Sequence, residues 1–442
     1  MPRTMLQLRI EALGQHLDQA QDPSVWKQQL ELEKFNVDNQ LWDIAVEYIH
    51  SEATDLKDRL DNLDAALREN KTSERSGWAE YARLQTASEE VFRECLDLLG
   101  GLALRDRFQD ERICRIADEY IKELASDTRR RPSFSILGLE AQLSSTLRRV
   151  VTMHFPEWTL WTLPLVAHEY GQVVIEESGL RKFADEITAE RLAAAGGKGG
   201  DQAADGPPED TDEEVRRAAK EQERRRVRIA LADALATLLA GPAYAYAALL
   251  LRLNPLNDGA HTVSDRERAA TILAVLREMN RTVPGKPPPH GEIVDRLEAY
   301  WRQSVDAAYG PSAEPAPLVN PARVRKAFSK HIVGSQLALY EAEHSARART
   351  WAAAWLVQLK QGAPLTPPEH SHREHIREAL NAAWRARVDA TRDLEPPQGD
   401  EAQRRVMALG EVGLDLCESI IESRGPEGGG SALGRAPRPG GS

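Results

Sequence analysis

Trp42, Val46, Ile49, Ala53, Leu56, Leu60, Leu63 and Leu67 recur at spacings that alternate four and three without a break. Only a helix gathers such positions into one stripe, and an apolar stripe has to be covered by another element. A turn-forming stretch, ENKTSERSG, follows, and the same spacing resumes at Tyr81, Leu84, Ser88, Val91, Cys95 and Leu98. Two long helices joined by a short polar turn are expected to fold back as an antiparallel, coiled-coil-like hairpin. Packing within the chain is the expected use of the seam, and a homo-oligomer through this helical arm is the alternative.

The rest of the chain carries the same message. Ala, Leu, Glu, Arg and Gln, all good helix formers, dominate long stretches, and no run of alternating β-branched residues suggests a sheet. The expected fold class is therefore all-α. A third helical segment, ERICRIADEYIKELA, runs into the Arg129-Arg130-Arg131-Pro132 break, which marks an expected boundary. Four parts follow from such breaks: an N-terminal helical domain over 1–131, a central domain over 132–302, a C-terminal helical region over 303–424, and a flexible tail over 425–442. Within the central part, residues 194–215 are poor in apolar side chains and rich in Gly, Asp and Pro, so a disordered insertion is expected there. The helix that follows should be exposed in its polar first half and buried in its apolar second half.

At 442 residues the chain is long enough for several cores. A formal net charge of −12 argues against a general nucleic-acid binder. No apolar run approaches the roughly 18 residues that suggest a bilayer span, and MPRTMLQLRIEALGQHLDQA has no apolar h-region, so a cytoplasmic protein without membrane attachment is expected. Cys95, Cys114 and Cys417 are too few and too scattered for a disulfide framework.

The stretch with the most chemical content is LPLVAHEYGQVV, at 163–174. His168 and Gln172 lie one turn apart on a helix and face the same way, with Glu169 beside them. FPEWTLWTLPLVAHEYGQVV, followed by LADALATLLAGPAYAYA, resembles the zinc metallopeptidase (zincin-like, H-E-x-x-H) domains of bacterial proteins. The matching residues are Phe155, Trp158 and Trp161, the Leu163-Pro164-Leu165 step, His168-Glu169-Tyr170-Gly171, then Asp233 and Gly241-Pro242-Ala243-Tyr244. The resemblance implies a zincin-like central domain in which His168 and the residue at position 172 bind zinc, Glu169 is the general base, and Asp233, with His261 in the loop beyond, completes the ligand set. The chain departs from the family where it matters most. Gln172 replaces the second histidine, and a neutral amide oxygen is a poor zinc ligand. Ile229, four residues before Asp233, leaves the usual E-x-x-x-D arrangement incomplete. Zinc is accordingly expected to bind weakly if it binds at all. Two functions follow: a degenerate peptidase domain used as a non-catalytic scaffold for a protein or peptide partner, or a zinc-dependent peptide hydrolase with an atypical ligand set. Glu369, His370, His372 and His375, after Pro367-Pro368, are expected to form a solvated helix start, and Trp351, Trp355 and Trp384 to pack in a core.

Overall fold

A computed structural model describes residues 5–20, 39–107, 111–128, 134–138, 150–154, 159–177, 179–196, 210–257, 259, 263–281, 290–311, 315–332, 339–371, 373–393 and 401–424. The fold class is all-α, as the composition and periodicity require. The described residues divide into two compact units, Met1–Cys114 with Ser133–Trp158 and Arg115–Pro132 with Thr159–Ser442.

The first unit is built on helices α1 (Met5–Ala20), α2 (Asn39–Arg68) and α3 (Glu74–Arg107). Its core holds the seam residues Ala53, Leu56, Leu60 and Leu63 with Tyr81 and Leu84 of α3, while Leu67 and Val91 pack against it half-buried. The hairpin therefore forms as its spacing dictates. Leu6, Ile10 and Leu17 of α1 enter the same core, so the chain's own third helix covers the seam. The α2–α3 turn closes through Asn70, whose φ of 54° puts it in the left-handed region that Asn tolerates better than most residues. The side chains of Trp42, Cys95 and Leu98 lie outside the described residues. One feature runs against the all-helical expectation: β1 (Phe134–Gly138) and β2 (Val150–His154) pair in parallel, Phe134 opposite Val150 and Gly138 opposite His154. Neither FSILG nor VVTMH alternates apolar and polar residues along its length, so periodicity does not reveal them.

Helix α4 (Glu111–Thr128) contributes its first turn to the first unit and the rest to the second. The second unit continues with α5 (Val166–Glu177), α6 (Leu180–Gly196), α7 (Asp210–Ala240), α8 (Pro242–Ala247), a π-helical turn at Ala248–Arg252, α9 (Asp265–Met279), α10 (Gly291–Tyr309), α11 (Pro321–Ile332), α12 (Ala342–Lys360), α13 (Ile376–Asp393) and α14 (Glu401–Ser423). The separate central and C-terminal parts expected from the sequence are not how these residues pack. Asn381 of α13 accepts from Ala243 N–H at 2.8 Å and donates to the Ala240 carbonyl at 2.7 Å, and the Trp384 indole N–H donates to the Trp161 carbonyl at 3.1 Å. Buried pairings of this kind make the two stretches one core. The Arg129–Pro132 break and the 425–442 tail lie outside the described residues.

The expected insertion is narrower than its composition suggests. Residues 194–196 finish α6 and 210–215 begin α7, because Ala, Asp and Glu at those ends suit a helix; residues 197–209 lie outside the described set. Residues 216–222 of α7 are exposed, and 230–240 are wholly buried. Cys114 and Cys417 are buried. Trp351, Trp355 and Trp384 are core residues, as expected. No helix among the described residues is long and apolar enough to cross a membrane.

Leu60, 1 % exposed at the centre of the seam, provides a direct check. Leu60→Ala should cost about 2–5 kcal/mol through lost transfer energy and an incompletely closed cavity. Urea denaturation followed by circular dichroism should show a lower midpoint at unchanged m-value.

Candidate functional site

The site begins with a close helix crossing. A Cβ built at Gly171 would lie 3.2 Å from the Ala232 carbonyl oxygen and 3.4 Å from its Cα, so α5 and α7 approach as nearly as their backbones allow. That approach buries the next residues on each facing surface, with His168 at 3 %, Glu169 at 2 % and Asp233 at 0 % exposed. The Leu163–Leu165 step forms a 3₁₀ turn leading into α5, and Trp161 before it packs edge-to-face on Trp384, 5.3 Å between centroids. Phe155 and Trp158, the rest of the aromatic lead-in, lie outside the described residues. The Gly241-Pro242-Ala243-Tyr244 turn ends α7: Gly241 takes a φ of 68°, and the chain reverses to carry Tyr244 back toward Asp233.

Three side chains converge on Asp233 through four contacts. His168 Nδ1 lies 2.8 Å from Oδ1, the Tyr244 hydroxyl donates to Oδ1 at 2.5 Å, and Arg268 of α9 donates Nε to Oδ2 and Nη2 to Oδ1, both at 2.8 Å. Burial opposes the charge on Asp233, but Arg268 and then His168 outweigh it and hold the carboxyl well below the usual carboxylate range. Arg268 is held protonated by the same pair. Tyr244 is pushed well up, by burial and by the neighbouring carboxylate, so it stays a neutral donor.

On the far side of the imidazole, the Gln172 side-chain nitrogen lies 3.1 Å from both His168 Nε2 and Glu169 Oε2. A carboxylate only accepts, so this end of the amide is the NH₂ group, and its second hydrogen meets a ring nitrogen that must be accepting. The geometry thus places a hydrogen of His168 on Nδ1, donated to Asp233, and caps its Nε2 lone pair with Gln172. The other Glu169 oxygen accepts from Nη1 and Nη2 of Arg252, each at 3.2 Å. Arg252 closes the π-helical turn, and the wider turn sets where that residue falls. Glu176, one helical turn beyond Gln172, pairs with Arg228 at 2.7 Å.

This arrangement does not suit the zinc centre that the resemblance implies. His168 Nε2 and Gln172 spend their free valences on each other. Asp233 faces the opposite ring nitrogen, so His168 Nε2 and the Asp233 carboxylate do not point at one position, and both carboxylate oxygens already accept hydrogen bonds. Each carboxylate, Glu169, Asp233 and Glu176, carries its own guanidinium where a metal centre would leave its negative charge for the cation. Among the described residues no three His, Cys, Asp or Glu side chains form a group able to hold a metal ion. In this geometry Asp233 orients His168, and Gln172 donates to both His168 and Glu169. His261 lies outside the described residues.

Arg252, Arg268 and Arg228 complete the cluster, and sequence reasoning missed all three. Arg252 left a faint sign, a lone cation in AALLLRL where a buried arginine needs a partner. Arg268, in DRERAA, left none, since that stretch reads as a solvated first turn.

The second histidine group is also placed differently from expectation. Helix α13 does start just after it, but His375 is half-buried, its Nδ1 3.5 Å from Glu123, and its backbone N–H is capped by Glu378 at 3.0 Å. Glu123 accepts from the Ile376 N–H at 2.9 Å, which draws the helix start against α4 and out of solvent. His372 lies outside the described residues.

No family model, no curated protein and no solved structure matches the chain.

A buried ion pair is costly to break from one side. Arg268→Met should destabilise the protein by about 3–5 kcal/mol by stranding Asp233, whereas Asp233→Asn with Arg268→Met should recover part of that loss. Equilibrium denaturation of the two singles and the double gives the coupling directly.

Proposed function

We propose that this chain is a degenerate zinc-peptidase-like protein whose helical second unit serves as a non-catalytic scaffold for a protein partner. The observation that carries the reading is the charge balance around α5 and α7. Every acid that a hydrolase would use to bind metal or to activate water is neutralised by an arginine: Glu169 by Arg252, Asp233 by Arg268 and Glu176 by Arg228. A general base has to accept a proton from water in reach of substrate. Glu169 is 2 % exposed and hydrogen-bonded at both oxygens, which supports a role in cohesion. In the same reading the Gln172 amide sits where the family's second imidazole belongs, satisfying His168 and Glu169 with two hydrogens.

What remains on offer to a partner is helical surface. Residues 216–222 of α7 are exposed and rich in charge, and Leu250, Leu251 and Leu256 are exposed large apolar side chains just past the Tyr244 turn. The overall acidic balance favours protein over nucleic acid as the partner class.

Metal analysis of the purified full-length protein, run beside a peptide-hydrolysis assay, tests the proposal. The expected outcome is less than a tenth of an equivalent of zinc, on the order of background, with no hydrolysis that depends on Glu169. Near-stoichiometric zinc lost in His168→Ala, together with hydrolysis lost in Glu169→Gln, would establish the enzyme reading instead. Gln172→His alone should not restore tight zinc, because Arg252 and Arg268 continue to hold the carboxylates.

A further inference from the structure

His290, Tyr340 and His344 form a column of three stacked rings, with centroids 5.8 and 5.6 Å apart and planes inclined by 28° and 27°. All three are buried. His290 opens α10, its carbonyl accepting from the N–H groups of Ile293 and Val294 at 3.0 Å. Tyr340 precedes α12, and His344 lies in the first turn of that helix.

The middle ring braces the turn that carries Tyr244. Tyr340 N–H donates to the Leu238 carbonyl at 2.9 Å, and its ring fills the space over Gly241, where an added Cβ would come within 2.3 Å of Cδ1. Arg377 and Asn381 hold the neighbouring carbonyls of Leu239 and Ala240. The column is thus the backing of the segment that places Tyr244 on Asp233.

The position of one proton decides the behaviour of this column. His344 Nδ1 accepts from the backbone N–H of Glu341 at 2.9 Å, closing the start of α12, so the neutral ring carries its hydrogen on Nε2. A second proton can enter only at Nδ1, where it would face another N–H. The surroundings do not compensate. Nε2 has Arg377 Nη2 at 3.4 Å and Glu378 Oε1 at 3.9 Å, but that oxygen already accepts from Arg347 at 2.6 and 2.9 Å. His375 lies beyond, 5.8 Å between ring centroids, with Glu123, which is engaged by Ile376 N–H and Arg424. His290 Nδ1 meets the Ser345 hydroxyl at 3.2 Å, and Arg349 of α12 and Arg385 of α13 are the charged groups that act on it. Burial first, then these arginines, lowers His290 to about 4; burial, then Arg377, His375 and Arg347, lowers His344 to about 3. An opened form would take up these protons near the ordinary histidine value of about 6.5. The closed form is therefore fully favoured above that pH and loses ground as pH falls toward 4.

We propose that the His290–Tyr340–His344 column is an acid-released latch. Protonation of His344 at Nδ1 breaks its bond to the Glu341 N–H, the Tyr340 ring leaves Gly241, and the turn bearing Tyr244 comes free of Asp233. At neutral pH the latch is shut.

Hydrogen–deuterium exchange on the full-length protein, corrected for the intrinsic pH dependence of exchange, reads the latch directly. A proton bound only by the open form raises its population about tenfold per pH unit. Amides of 339–345 and 239–244 should exchange at least about tenfold faster at pH 5 than at pH 7, while α2 keeps its protection. Gln at both histidine positions supplies polarity without titration, so His290→Gln with His344→Gln should remove that acceleration. Unchanged protection of both segments down to pH 4.5, or full acceleration retained in the double variant, would overturn the proposal. Should the double variant fail to fold, ring titration of the wild-type protein by NMR decides: a His344 that titrates near 6.5 sinks the latch, and one that stays neutral below pH 5 sustains it.

Discussion

A single carboxylate with no exposure to water organises the second unit. Asp233 lies on α7, at the closest approach to α5, and receives hydrogen bonds from a histidine of α5, an arginine of α9 and a tyrosine of α8. An unpaired charge in that position would be prohibitive, so the four elements have to arrive together and in register. Leucines fill the surrounding space, but they would tolerate other arrangements of similar volume. The polar cluster tolerates few, because its hydrogen bonds are buried and directional.

The arginines give the cluster its chemical character. A carboxylate, an imidazole and a second carboxylate on facing helices are the raw material of a metal centre, and the same groups become a cohesive knot once guanidinium ions supply the positive charge. Arg268 meets Asp233 with a bidentate fork, a geometry that fixes direction as well as charge. Gln172 adds two donated hydrogens to the same knot. The charges that balance the carboxylates are thus covalently attached side chains of the chain itself.

The same turn that brings Tyr244 to Asp233 is braced from behind by Tyr340, and Tyr340 is itself held between two buried imidazoles. The site and the column are therefore coupled through Gly241, a position with a left-handed conformation and no room for a side chain. The contacts along that line are short, buried and directional, so displacement of Tyr340 is transmitted to Tyr244 with little slack.

Much of the fold was legible in the sequence, and the reasons are local. The four–three spacing from Val46 to Leu67 fixes a helix and its buried face, the GPAY turn announces a reversal after an apolar helix, and HEYGQ sets His168, Glu169 and Gln172 on one helical surface. Periodicity and turn chemistry act over a few residues, so they survive without knowledge of the partner. The short parallel strands, the union of central and C-terminal helices in one core, and the approach of His375 to Glu123 were not legible, because each depends on segments that are not neighbours along the chain. The site divides in the same way. The sequence alone determined that position 172 lacks a second imidazole and that Asp233 follows on a small-residue helix. Only the tertiary structure decided that Asp233 faces the other nitrogen of His168 and that Arg252 and Arg268 occupy the carboxylates, since charge compensation is a property of what meets in space and leaves no spacing to read.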